Sequence, residues 1–562
     1  MLDSYSLRRS RRLLPFLLSF LIAFPLRAQQ PEKLVESIEI RVINVDVMVT
    51  DAKGNIVTGL TKDDFILYEN RTPQAITNFY EERAVTSTPA SRPASPAEDV
   101  DAIVEPRTRR VIFFIDNSSI HPFGRNQILV GLEEFAAKTL RSGDEIMVVT
   151  WGPGLKVELP FTTNVAAIAP ALKRVAAQNT GAASLVNQRR ETERRIQNEV
   201  DMISVLGVQD CYAAALTHTR FYSEQVRNQV RSMVTALNGV ISSLAGQDGK
   251  KAVIFSGQAL PMYPGIEMFQ HTDEAFAPYF GTRGPTSRTE AISRGEGALQ
   301  ESITRTANAN GVTFYVVNSR GGQDESETPA ERSVPRSDEV RFLEFSNSAT
   351  SLMKIADSTG GVAVLQPSDY AATFEGIARD FDSYYSLGYR SSSPEAGERD
   401  IRVVAKNPAY KVRSRQGLVV QTNEAEIADR VIGNLYREAT SSDIILQVST
   451  GRVQKQRRGR FKVPVEVRIP TSAFTLIPQG AELAGGFTVF IGVADQNGNV
   501  SEVTHKSQQL RIPAADEKTL RGKHVTFVMD AILRGGENTV SVAVVDDLSR
   551  AIGFARASVA AR

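Results

Sequence analysis

The sequence predicts a multidomain chain of α/β plus β class: a doubly wound, Rossmann-type α/β domain, a small N-terminal β-module and a C-terminal β-sandwich. Two observations predict this fold class. Apolar runs alternate with amphipathic segments from residue 109 to residue 391, as in repeated βαβ units. On either side, apolar and polar residues alternate with a period of two, which is typical of half-buried strands.

The α/β domain is predicted to begin with a complete βαβ unit. Residues 111–115 and 146–151 are apolar runs, and residues 128–140 carry apolar side chains at helical spacing. The polar residues 116–119 follow the first strand directly. They should therefore lie at the carboxyl end of the sheet, where open α/β sheets bind their ligands.

The same patterns predict the remaining elements of the domain. Residues 182–247 should form a long helical insertion that breaks at Gly207. The other predicted strands are 155–161, 251–255, 312–317, 362–365 and 383–389, and the other predicted helices are 165–177, 291–309, 342–358 and 370–381.

Changes of pattern divide the chain into segments. The predicted segments are a signal peptide at 1–28, a small β-module at 29–84, a linker at 85–108, the α/β domain at 109–391, a β-hairpin extension at 392–421, a connecting helix at 422–441 and an immunoglobulin-like β-sandwich at 442–562.

The N-terminus predicts export. Four arginines between residues 8 and 12 precede an apolar stretch at 13–26, and the small residue Ala28 follows it. This is the pattern of a secretory signal peptide cleaved after Ala28. An uncleaved anchor is the alternative, but the stretch is shorter than the about 20 residues that span a bilayer. We expect no transmembrane segment after cleavage, and a location in the periplasm, cell envelope or exterior.

Composition limits the classes of partner and of chemistry. The formal net charge is +1, so bulk charge does not favour nucleic acid. The single cysteine, Cys211, excludes an intrachain disulfide. No H-E-x-x-H or G-x-S-x-G motif occurs. We therefore expect no enzyme; an envelope hydrolase whose active site is scattered across loops is the alternative.

The polar residues after the first strand carry a resemblance. Asp116-Asn117-Ser118-Ser119 resembles the Asp-x-Ser-x-Ser that ends the first strand of von Willebrand factor A domains. Together with GLTKDDFILYEN near the N-terminus, and LMKIADSTGG and YYSLGYRSS near residue 391, it makes residues 36–421 similar to von Willebrand A-related proteins abundant in acidobacteria.

The resemblance implies a metal-ion-dependent adhesion site, and this one is degenerate. Its ligands would be Asp116, Ser118, Thr180 and Ser256. Ile120 stands where the family has its second serine, and Ser256 where it usually has aspartate. One carboxylate with hydroxyls makes at most a weak Mg²⁺ or Ca²⁺ site, so we expect no cofactor. In the alternative, Asp116 and Ser118 cap the following helix.

The function predicted from these features is that of an exported, non-enzymatic binding or adhesion scaffold with a protein partner. The partner face would include Ile120, His121, Phe123 and Leu260. Two arrangements remain open: Ile120 and Phe123 are exposed anchors, or both pack inward against Leu260. A shallow face at the strand ends would favour partner binding, whereas a deep pocket with converging titratable groups would favour catalysis.

Overall fold

The computed structural model describes residues 42–82, 108–258, 260–281, 284–318, 336–391, 393, 395–437, 442–520 and 522–562. The predicted signal peptide and all but residue 108 of the predicted linker lie outside these residues. Within the described ranges, no helix combines the length and the apolarity that crossing a membrane requires.

The strands and helices follow one another in a mixed order along the chain. The strands are β1 (Val42–Thr50), β2 (Phe65–Glu69), β3 (Thr72–Gln74), β4 (Ile76–Glu82), β5 (Arg109–Asp116), β6 (Glu145–Trp151), β7 (Leu155–Thr162), β8 (Lys250–Ser256), β9 (Val312–Val317), β10 (Ala363–Val364), β11 (Tyr384–Arg390), β12 (Gly397–Ala405), β13 (Lys411–Ser414), β14 (Gly417–Val420), β15 (Gln447–Thr450), β16 (Gln454–Lys455), β17 (Arg460–Pro470), β18 (Ile477–Gln479), β19 (Glu482–Asp495), β20 (Thr504–Pro513), β21 (His524–Arg534), β22 (Gly536–Asp546) and β23 (Ile552–Ala561). The helices are α1 (Pro122–Thr139), α2 (Ile168–Ala176), α3 (Ala182–Asp201), α4 (Ile203–Leu206), α5 (Val208–Ser242), α6 (Ile266–Phe276), α7 (Arg288–Ser293), α8 (Gly297–Ala309), α9 (Asp338–Ser358), α10 (Tyr370–Asp382), α11 (Asn423–Tyr436) and α12 (Glu517–Leu520).

The α/β domain is built on a six-stranded sheet in the order β10-β9-β8-β5-β6-β7. Its strands are parallel except for β7, which runs antiparallel to β6. Side chains of β5 point alternately to two apolar cores, one shared with α5, α8 and α9 and the other with α1, α2 and α10. Because both faces are covered, the strand reads as an unbroken apolar run. The predicted combination of an α/β fold with β-rich regions is confirmed.

The strand at 383–389 was predicted as the last strand of the α/β domain, but it does not belong to this sheet, so that prediction is wrong. As β11, it pairs antiparallel with β1 and β4. Its inward side chains Tyr385, Leu387 and Tyr389 are buried with Val45 and Val47, which stabilises this pairing instead.

The N-terminal strands and the strands after residue 383 form one unit. The sheets β13-β1-β11-β4 and β14-β12-β2-β3 each contain strands from both regions and share one apolar core. The described residues of the β-module predicted at 29–84 and of the hairpin predicted at 392–421 are therefore parts of a single sandwich. The α/β domain is inserted between its halves.

The predicted helical insertion forms as α3, α4 and α5, and α3 packs along α5. Gly207 separates α4 from α5 with a φ of 88°, a conformation that favours glycine. Helix α6 was not predicted, and the single helix predicted at 291–309 is divided into α7 and α8. Both α3 and α5 pack on α6, which places the insertion beside the sheet.

The C-terminal region consists of two sheets that share one apolar core. It also contacts the α/β domain, because the amide of Leu155 donates to the carbonyl of Asn497 at 2.8 Å. Arg437, directly after α11, pairs with Glu145 of the α/β domain at 2.8 Å. Helix α11 packs against both α5 and β19. That this region is immunoglobulin-like stays a prediction.

Candidate functional site

The centre of the site is a carboxylate whose hydrogen bonds come from the loop that follows it. Asp116 ends β5 and is fully buried. One of its oxygens accepts hydrogen bonds from the amide of Ser118 at 3.0 Å and from the Ser118 hydroxyl, and the other accepts from the Ser119 hydroxyl. Burial raises the pKa of Asp116, and these hydrogen bonds oppose that shift only in part.

The same loop settles the helix-cap alternative. Helix α1 begins at Pro122, and its cap is His121, whose side chain accepts from the amide of Phe123 at 3.4 Å. Asp116 and Ser118 bond to each other and do not cap this helix. The polar cluster is therefore a closed turn at the strand end.

Backbone packing gathers the four predicted metal ligands at one edge of the sheet. Ser256 ends β8, and the register pairs it with Ile115, the residue before Asp116. Thr180 precedes Gly181, whose amide donates to the carbonyl of Asn117 at 2.7 Å. A Cβ atom on Gly181 would lie 2.8 Å from the carbonyl oxygen of Ser118, so this loop and the strand tip are in direct contact.

The gathered groups do not fit a strong divalent-metal site. They supply one carboxylate, already hydrogen-bonded, and neutral hydroxyls, whereas Mg²⁺ and Ca²⁺ sites depend on several well-placed oxygen ligands with adequate charge. No cluster of three histidine, cysteine or acidic side chains that could hold a metal occurs among the described residues. The hydroxyl of Ser256 is buried and has no hydrogen-bond partner among the described residues.

A cleft of about 950 Å³ opens beside this cluster. Its floor is formed by the strand-end loops and its walls by α3, α5 and the start of α9. Residues from all of these elements line it, among them Ser118, His121, Arg125, Thr180, Leu185, Asn187, Arg189, Arg190, Tyr222, Val226, Met233, Glu267, Asn318, Arg336, Arg341, Glu344 and Phe345. The strand ends therefore form a cleft and not the shallow face that would favour partner binding over catalysis.

Four charged side chains form one wall of the cleft and join the insertion to α9. Glu344 pairs with Arg189 at 3.0 Å and with Arg336 at 2.8 Å. Glu193, just behind the lining, lies 3.6 Å from Arg189 and 3.7 Å from Arg336. Two cations and two anions balance one another, as buried charges require. We call these four residues the charged quartet.

A carboxyl with an unusual pKa lies near the quartet. Glu267, in the first turn of α6, is buried and accepts a hydrogen bond from the Tyr222 hydroxyl at 3.0 Å. Burial and, secondly, the negative charge of Glu344 raise the pKa of Glu267 to about 7. No motif in the sequence indicates this group.

A buried guanidinium holds the loop after α2. Arg125 donates to the carbonyls of Ala176 at 2.7 Å and Gln178 at 2.8 Å, and to the Asn117 side chain at 3.4 Å. It forms no ion pair with any described residue. Burial lowers the pKa of Arg125, although its pKa starts so high that the group stays charged at neutral pH.

The structure separates the predicted partner residues. Ile120 and Leu260 are 0% and 1% exposed and belong to the cores on opposite faces of the sheet. The prediction that they contribute to a partner face is therefore wrong. The closed turn directs Ile120 inward, whereas Phe123 is 69% exposed on the first turn of α1. His121 is partly exposed and lines the cleft, so neither predicted arrangement of the pair holds.

Comparisons with known proteins find structural likenesses only. No protein-family model and no curated protein matches the sequence. The similar solved structures include an aerotolerance-related membrane protein from Bacteroides fragilis (10% identity, 48% of this chain, 98% of that chain, TM-score 0.22) and the conserved hypothetical protein BatB from Bacteroides thetaiotaomicron (12%, 48%, 98%, 0.22).

A von Willebrand factor type A protein from Catenulispora acidiphila is also among them, with 12% identity, 81% of this chain and 66% of that chain covered, and a TM-score of 0.21. Structural neighbours of the chain thus include a von Willebrand factor A protein. With TM-scores below 0.5 and identities below 25%, these likenesses carry no argument about function. The acidobacterial relationship stays a prediction.

The burial difference between Ile120 and Phe123 is testable with single variants. Ile120→Ser should lower the free energy of unfolding by about 2–5 kcal/mol, because it removes a large buried apolar side chain. Phe123→Ser should change it by less than about 0.5 kcal/mol, as for other exposed positions. Urea unfolding of both variants measures this, and equal destabilisation would contradict the placement of the two side chains.

The raised pKa of Glu267 should make stability depend on pH. Its pKa rises from about 4.3 in the unfolded chain to about 7 in the folded protein. Between these values the folded state binds more protons, so stability falls as the pH rises through this window and stays lower above it.

Glu267→Gln cannot ionise and should lose this dependence. Relative to wild type, the variant should gain on the order of 3 kcal/mol between about pH 4 and about pH 8. Urea unfolding across this range tests it, with the exposed Glu134→Gln as control. Parallel profiles for Glu267→Gln and wild type would show that Glu267 ionises normally.

Proposed function

We propose that this chain is an exported, non-enzymatic scaffold that holds a protein partner in the cleft at the strand ends, without a metal. The observation that carries the proposal is the closed turn at Asp116. A carboxylate that already accepts three hydrogen bonds from its own loop is poorly disposed to hold a cation. Partner binding would then depend on direct contacts with the protein.

The surroundings of the cleft support partner binding. Phe123 follows the cleft residues His121 and Pro122 and exposes a large apolar side chain. Phe345, on α9, lines the cleft and is 42% exposed. Exposed aromatic side chains beside arginines are the residue types that interfaces use as anchors.

An envelope hydrolase is the second candidate, and Glu267 is the observation that favours it. A buried carboxyl with a pKa near neutrality, inside a cleft, has the properties of a general acid or base. No nucleophile with an adjacent base accompanies it in the described lining. Turnover of ester, peptide or glycoside substrates that disappears in Glu267→Gln would favour this candidate over the scaffold.

Site-specific photo-crosslinking in the native envelope tests the scaffold proposal. A photoreactive residue at Asn187, exposed on the α3 side of the cleft, should give a discrete protein adduct with the same yield in chelator. The same residue at Lys53, exposed on the N-terminal sandwich, is the control and should give none. Equal adducts at both positions, or an adduct at Asn187 that chelator abolishes, would overturn the proposal.

A further inference from the structure

The hairpin of β16 and β17 carries a run of cations at its tip. The two strands pair antiparallel, and the amide of Gln456 donates to the carbonyl of Arg460 at 2.8 Å, which closes the turn between them. Residues 452–460 include no acidic side chain and five cationic ones, namely Arg452, Lys455, Arg457, Arg458 and Arg460. All five are exposed. We call these five residues the basic hairpin.

The charge of the basic hairpin is not compensated by its surroundings. None of its five side chains forms an ion pair or a hydrogen bond with any residue that the structure describes. Two neighbouring cations do: Lys462 pairs with Asp530 at 2.8 Å, and Arg534 pairs with Asp495 at 3.3 Å. Both carboxylates are therefore already paired elsewhere. The excess of charge is local, because the whole chain has a formal net charge of only +1.

The turn presents its arginines to solvent. Arg458 has a φ of 59° and Gly459 a φ of 68°, so the chain reverses within three residues. The left-handed region favours glycine, and among other residues asparagine and aspartate. Arg458 is exposed, so packing does not explain an arginine at this position.

An aliphatic side chain lies beside these cations on the outer face of the sheet. Phe461 and Leu533 belong to the core of the sandwich, so the residues that follow and precede them, Lys462 and Ile532, point outward. The register places Lys462 opposite Ile532, which is 49% exposed. Peripheral binding to a bilayer combines attraction to anionic lipids with burial of apolar area. This surface offers both.

The nature of the segment distinguishes a bilayer from other polyanions. Single-stranded nucleic acid stacks its bases on aromatic side chains, and the one aromatic residue among residues 451–462, Phe461, is buried. A site that recognises protein carboxylates holds its guanidinium groups in a fixed geometry. No hydrogen bond to a described residue fixes those of the basic hairpin. Attraction to a layer of anionic headgroups requires only the charge.

We propose that the basic hairpin docks on the anionic headgroups of a phospholipid bilayer, with Ile532 at the boundary between headgroups and acyl chains. None of these residues lines the cleft, so the inference does not depend on the protein partner. It adds a second surface, which holds the protein against a membrane while the cleft remains available.

Co-sedimentation of the mature chain with vesicles tests this inference. Vesicles of equimolar phosphatidylglycerol and phosphatidylcholine should bind the protein, whereas vesicles of phosphatidylcholine alone should not. Added salt should weaken binding, because it screens the cations from the headgroups. The triple variant Lys455→Gln, Arg457→Gln, Arg458→Gln should bind about tenfold more weakly or worse, since each cation near the surface adds to the attraction. Its thermal midpoint should not change, because all three side chains are exposed.

A second triple variant, Lys53→Gln, Arg71→Gln, Arg402→Gln, is the matched control. It makes the same change of charge at exposed positions of the N-terminal sandwich, and Arg71 has a φ of 68°, similar to that of Arg458. Its binding should equal that of wild type. The double variant Arg457→Lys, Arg458→Lys retains the charge and should also bind like wild type, because a charged surface does not require the guanidinium fork.

Several results would overturn the inference. They are equal binding to phosphatidylcholine vesicles, equal binding by the two triple variants, loss of binding in the lysine variant, or tighter hairpin-dependent binding of an oligonucleotide or a polyglutamate peptide than of the anionic vesicles. Failure of the scaffold proposal is recognised separately, because the Asn187 crosslink reports on the cleft and vesicle binding reports on the basic hairpin.

Discussion

The site depends on how the buried carboxylate of Asp116 is satisfied. A carboxylate taken out of water must find hydrogen bonds or lose its charge, and this one uses the hydroxyls of Ser118 and Ser119. The Ser119 hydroxyl also accepts from the amide of Gln258 at 3.0 Å, which ties the tip of β5 to the loop after β8. The resulting turn directs Ile120 into the core and leaves Phe123 at the surface.

The helical insertion turns this strand-end face into a cleft. Helices α3 and α5 form its walls, and the charged quartet joins α3 to the start of α9. Buried ion pairs add little net stability, but leaving one member unpaired is costly. The quartet therefore fixes the position of the wall.

The sequence predicts the parallel sheet well, because strands buried on both faces must be continuous apolar runs. It does not predict which sheet Tyr384–Arg390 joins. The pattern of apolar residues indicates a strand locally, whereas the partner strand β1 lies far away in the sequence. Ile120 and Phe123 are both large apolar residues, so the sequence alone does not predict which of them is buried. The turn at Asp116 decides this, because it directs Ile120 into the core and leaves Phe123 exposed. The sequence does not predict that Arg189 pairs with Glu344, because the two residues are distant in sequence.

Calorimetric titration of the folded chain with Mg²⁺ tests the central claim most directly. A carboxylate closed by its own serines, with only neutral hydroxyls around it, predicts no measurable binding heat and equal thermal midpoints with and without chelator. Sub-millimolar affinity that is lost in Asp116→Ala would contradict this, because the turn would then have to open and hold the cation.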